Sequence, residues 1–170
     1  MDLPGWTDEG LLPPGCWPAT IEQVHQRLVL EACDRETRQV VYHGLAAYAG
    51  QIREYLSAGR IRLHGRFVTR DGSPRSADGP PLILTVFPAN RGELELLSAA
   101  EKLRVRALFT MTDLILVSDT RTQPRFKVVH PMGHHIAAHM VRDTDETAYD
   151  RGRFAADHTL AERGVVELSW

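Results

Sequence analysis

Apolar residues recur along this chain with two different periods. Val41, Leu45, Tyr48, Ile52 and Leu56 stand three or four positions apart, the spacing that lines one face of a helix. With Asp34 as a cap and Gly59 as a stop, the pattern predicts a helix over 34–58. Upstream, Thr20 and Gln23 have the spacing of a capping box, and Ile21, Val24 and Leu28 follow at helical intervals, so a first helix is expected over 20–30. The period then shortens. "IRLHG" alternates apolar and polar positions and predicts a half-buried strand at 61–64, while "LILTVF", bounded by Pro81 and Pro88, predicts a buried strand over 82–86. Val41, Leu45, Tyr48 and Ile52 are expected to face the sheet that contains both strands.

Beyond Pro88, "LELLSAAEKLRVRALFT" reads as a third helix. Strands are expected at "DLILVSD" and "FKVVH", a short helix over 134–142, and a last strand at "GVVELSW". The opening "GLLPPGCWPAT" is rich in turn residues, and Pro13, Pro14 and Pro18 disfavour helix before them. Residues 1–19 are therefore expected to wrap the surface as an arm. The sum is a mixed α/β fold, a small mixed sheet with helices, in a single domain over 1–170.

Composition narrows the function classes. A chain of 170 residues can bury a sizeable core. Twenty Lys and Arg against twenty-two Asp and Glu give a formal charge of -2, so charge gives no indication of a nucleic-acid partner. Cys16 and Cys33 form no CxxC pair, which argues against a thiolate zinc site. They read as buried free thiols without a nucleophile signature. No secretory pattern or membrane-length apolar run is present, so a cytoplasmic protein with no membrane partner is expected.

The stretch from Leu63 to Phe87 has the outline of a catalytic hairpin: strand, glycine, polar loop, strand. "LLPPG" at 11–15 with Thr20 after it, "GRFVT" at 65–69 and "FAADHTLAERGVVEL" at 154–168 occur in an order and spacing that resemble a family of small bacterial proteins of unknown function. Members of that family look like minimal nucleotidyltransferases. The resemblance implies a polymerase β-like minimal fold with a Gly-Ser turn beside the substrate phosphates, then an Asp-x-Asp pair that holds Mg²⁺. Here the serine position is Arg66, the first aspartate position is Ser76 and the second is Asp78, with Pro80 and Pro81 following at once. A hydroxyl is a poor substitute for a charged ligand, and Arg66 adds positive charge where cations would sit.

The resemblance therefore implies a catalytically degenerate nucleotidyltransferase-like protein that acts by binding a nucleotide or macromolecular partner. Gly65, Arg66 and Ser76 would be its phosphate-binding residues, and no cofactor is expected. The alternative is an active enzyme in which Asp78 and Asp113 hold Mg²⁺, with Asp119 a second choice for the later carboxylate, in a setting such as toxin–antitoxin or phage-defence systems. A third reading takes His135 and His139, four apart, as zinc ligands on one helical face, with His130, His134 or Asp143 as a third ligand. The zincin glutamate is absent. Trp6, Trp17 and Trp170 either fasten the arm and last strand to the core or form a contact surface for a protein partner or a second copy of the chain.

Overall fold

A computed structural model describes residues 2–72, 81–110, 135–141 and 164–170. Within them the element order is β1 (Gly15–Ala19), α1 (Ile21–His25), a π-helical turn (Gln26–Leu30), α2 (Arg35–Arg53), β2 (Gly59–His64), a 3₁₀ turn (Arg66–Val68), β3 (Leu82–Pro88), α3 (Gly92–Leu96), α4 (Ala99–Thr110), β4 (Ile136–Met140) and β5 (Gly164–Ser169). The five strands make one mixed sheet in the order β1-β5-β2-β3-β4. β5 pairs parallel with β1 and antiparallel with β2; β3 pairs antiparallel with β2 and parallel with β4. The expected strands at "DLILVSD" and "FKVVH" lie outside the described residues.

Thr20 closes the expected capping box with Gln23, but the helix it starts changes winding at Gln26. The wider π-turn lets Leu28 and Val29, adjacent in sequence, both bury, and Glu31 N–H bonds back to the Gln26 carbonyl. Asp34 does precede α2, in a left-handed conformation and without a side-chain cap. Its carboxylate instead accepts from Thr37 Oγ1. The helix also ends earlier than Gly59 suggests, at Arg53. Gly59 opens β2, where an added Cβ would stand 2.8 Å from the Trp170 ring.

The inward face of α2 is as expected. Val41, Leu45, Tyr48 and Ile52 are fully buried and join one cluster with Ile61, Leu63, Leu82, Leu84, Val86, Val166 and Leu168. Strand alternation sends Arg60, Arg62, Thr85 and Glu167 to the opposite face. There Arg62 and Glu167 are directly opposed on β2 and β5, with Nε 2.9 Å from Oε2. Arg62 also lies 4.6 Å from the centre of the Phe87 ring.

Three expectations need correction. The segment 1–19 is no mere surface arm: its last five residues form β1, at the edge of the sheet among the described residues, where a proline's missing N–H is tolerated. Of the 134–142 stretch, the described residues 135–141 are not helical, because 136–140 pair residue by residue with β3 as a parallel strand. The third helix is split. Leu97 is extended, and Ser98 restarts the chain as α4 by accepting from Glu101 N–H through its hydroxyl while its own N–H meets the Glu101 carboxylate. All three tryptophans pack against the core cluster. Trp17 Nε1 donates to the Pro13 carbonyl and Trp170 Nε1 to that of Leu56.

Candidate functional site

The turn at 65–72 is where the sequence places phosphate chemistry, and it is built around two constraints. The first is Gly65. It leaves β2 with φ 92° and ψ -170°, a conformation open essentially to glycine alone, and an added Cβ would lie 2.6 Å from the Pro81 carbonyl oxygen. One 3₁₀ turn follows. Phe67 N–H donates to Pro81 O at 3.0 Å, Val68 N–H to Gly65 O at 3.1 Å and Thr69 N–H to Arg66 O at 3.2 Å. These three amides are thus already engaged, and anion recognition here would rest on the half-buried Arg66 side chain.

The second constraint is Arg38. Its guanidinium is fully buried and donates to five main-chain carbonyls. Nη1 reaches Leu28 at 3.0 Å and Phe67 at 2.8 Å; Nη2 reaches Thr69 at 2.6 Å, Arg70 at 3.4 Å and Gly72 at 2.7 Å. The Phe67 ring lies 5.6 Å below it. Burial pushes the guanidinium below the usual arginine range, opposed by the negative potential of Cys33, Asp34 and Asp71. The carbonyl oxygens provide the compensating charge density that a buried cation requires. Arg38 also joins two elements, because Leu28 belongs to the π-helical turn and the other four acceptors to the 65–72 segment.

Side chains complete the frame. Thr69 Oγ1 donates to Arg66 O at 2.8 Å and accepts from Gly72 N–H at 3.1 Å. Arg70 N–H donates to Gly10 O at 2.7 Å and its carbonyl accepts from Cys33 N–H at 3.0 Å. The turn is therefore tied to the N-terminal segment and to the start of α2. A small, partly open pocket lined by Leu12, His64, Gly65, Val68 and Gly164 lies beside it.

Sequence reasoning found Gly65 and missed Arg38. The signal was present: Arg38 stands three positions before Val41 on the stripe that continues through Leu45, Tyr48 and Ile52. A cation in an apolar register is either misplaced or carries structure. Ser76, Asp78, Asp113, Asp119, His130, His134 and Asp143 lie outside the described residues. His135 precedes β4 and His139 lies within it. In extended chain, positions four apart are separated by about 13 Å, so the helical proximity behind the zinc reading is lost. Among the described residues no group of three or more His, Cys, Asp or Glu side chains could hold a metal.

Neither cysteine is buried, contrary to expectation. Cys33 Sγ donates to Asp71 Oδ1 at 3.2 Å, and this bond raises the thiol above its ordinary value. Cys16 Sγ donates to Glu167 Oε2 at 3.7 Å, and partial burial followed by the Glu167 charge raises it likewise. Both shifts favour the neutral thiol, the opposite of what a nucleophile requires.

Among the described residues no helix is long and apolar enough to cross a membrane. Residues 4–169 match a family model described as "Family of unknown function (DUF6932)". No curated protein and no solved structure matches the chain.

Proposed function

We propose, for a chain that belongs to the Family of unknown function (DUF6932), that it is a nucleotidyltransferase-like protein with a degenerate metal site, acting by binding a nucleotide through the turn at 65–69. The observation that supports this reading is the conformation of Gly65. A glycine at φ 92°, packed on the Pro81 carbonyl and followed by a single helical turn, is the local shape that such a phosphate-facing turn requires. Arg66 occupies the position that the resemblance gives to a serine. Its guanidinium can match phosphate oxygens bidentately, which suits retention of a phosphate and not coordination of a cation.

Losing one of two metal-holding carboxylates removes much of the electrostatic stabilisation on which nucleotidyl transfer depends. The reading therefore predicts binding without transfer. The test assays wild-type protein with all four labelled nucleoside triphosphates, Mg²⁺ or Mn²⁺, and lysate as acceptor, alongside calorimetric titration with ATP. Support would be an absence of metal-dependent labelling together with ATP binding that weakens in Arg66→Ala. Metal-dependent labelling abolished by Asp78→Ala would overturn the degenerate site and favour an active enzyme with Asp78 and Asp113 as Mg²⁺ ligands.

A further inference from the structure

A cleft of about 580 Å³ opens between α3, α4 and β4. It follows from the way the third helix breaks. Ser98 and Glu101 cap α4 so abruptly that the chain turns at extended Leu97, leaving Leu94 and Leu97 as one wall. Val105 and Phe109 of α4 form the other, and Ala138 and Met140 of β4 the floor.

Its polar lining carries one sign. Lys102 and Arg106 reach the cleft, and no Asp or Glu lines it among the described residues. Lys102 and Arg106 are one helical turn apart on the same face of α4. Lys102 Nζ is held 2.9 Å from the Glu95 carbonyl oxygen at the corner. Arg106 is exposed and has no bonding partner among the described residues. Two carboxylates of α3 and α4 are engaged elsewhere: Glu93 accepts from Ser57 N–H and Oγ, and Glu101 from Ser98 N–H and Oγ. Phe109, on the stripe continuing from Lys102 and Arg106, is braced edge-on by buried Tyr48, with ring centres 6.4 Å apart at 88°.

We propose that this cleft binds a small planar aromatic monophosphate, with its ring against Phe109 and the apolar floor and its phosphate dianion between Lys102 and Arg106. The volume lies within the roughly 300–1,000 Å³ usual for small-molecule sites, which combine an apolar lining with a few placed polar groups. An aromatic wall favours a planar ring. Two cations one turn apart, one of them a guanidinium, suit a dianion with several oxygens. The cleft is lined by none of the residues of the 65–72 turn, so this site is independent of the proposed nucleotide-binding turn.

The test is calorimetric titration of the full chain with 1-naphthyl phosphate and with adenosine monophosphate. 1-Naphthol and inorganic phosphate serve as the separated halves. Both monophosphates are expected to bind, each at least tenfold more tightly than its halves. Arg106→Glu and Lys102→Glu, both at exposed positions, should each weaken binding at least tenfold, with the conservative Arg106→Lys losing less. Phe109→Leu should reduce the advantage of the monophosphate over inorganic phosphate. The proposal is overturned if neither monophosphate binds, if Arg106→Glu binds like wild type, or if Arg66→Ala alone abolishes binding. Circular dichroism of each variant separates loss of the site from loss of the fold.

Discussion

Arg38 Nη2 lies 2.6 Å from the carbonyl oxygen of Thr69, and through this bond and its companions α2 holds the turn in shape. Arg38→Met keeps much of the side-chain volume but removes every donor. Hydrogen bonds to charged groups contribute about 1.5–3 kcal/mol each and are not additive, so a total loss of at least about 3 kcal/mol is expected. Urea denaturation measures it. Arg38→Lys should fall between, since a point ammonium cannot span five carbonyls. Equal stability of Arg38→Met and wild type would contradict this account.

Gly65→Ala combines a left-handed backbone with a contact 2.6 Å from Pro81 O. A cost of at least about 1–3 kcal/mol is expected from the strained backbone alone. The check is a lower thermal midpoint. Gly50, whose added Cβ would meet nothing within 4 Å, is the control: Gly50→Ala on α2 should be neutral or stabilising.

Glu93 and Glu101 give a pH dependence of definite sign. Hydrogen bonds from Ser57 and Ser98 hold both carboxyls below their ordinary value of 4.5. The folded state therefore holds their protons more weakly than the unfolded state. Their contribution is fully present above pH 4.5 and is lost as pH falls through the folded values. Thermal midpoints between pH 6 and pH 3 should decline less steeply in Ser57→Ala and Ser98→Ala than in wild type. An unchanged slope in both variants would show that the bonds do not persist in solution.

Cys33 should alkylate more slowly than a free thiol at pH 8, because its bond to Asp71 raises it above the usual cysteine value. Asp71→Asn removes the acceptor charge. Iodoacetamide labelling followed by peptide mass spectrometry should then show faster modification at Cys33 and no change at Cys16, which answers to Glu167.

How far the sequence was legible depended on the range of the forces involved. α2 could be read because its core positions repeat locally, and β2, β3 and β5 because alternation or continuous apolarity marks them. β4 could not, since "IAAHM" has neither strong pattern nor strong propensity and becomes a strand by pairing with β3. β1 was hidden by Pro18, which only an edge position makes compatible with a strand. The break at Leu97 was legible in the Ser98–Glu101 box and was overridden by the apolar run around it. At the candidate site Gly65 announced itself through its neighbours, whereas Arg38 needed its stripe to be read for exceptions as well as for matches.

The position of β5 between β1 and β2 also governs how the molecule assembles. Cys16 and Glu167, neighbours across the β1–β5 pair, are separated by 151 positions. Such a closure carries a large entropic cost before any contact compensates it, and topologies of this kind fold slowly. Among the described residues, β5 alone pairs with β1 and covers the 60–63 edge of β2. An unpaired edge invites other chains, so a chain in which β5 is not yet in place would present two such strands, and insertion of β5 satisfies both in one step.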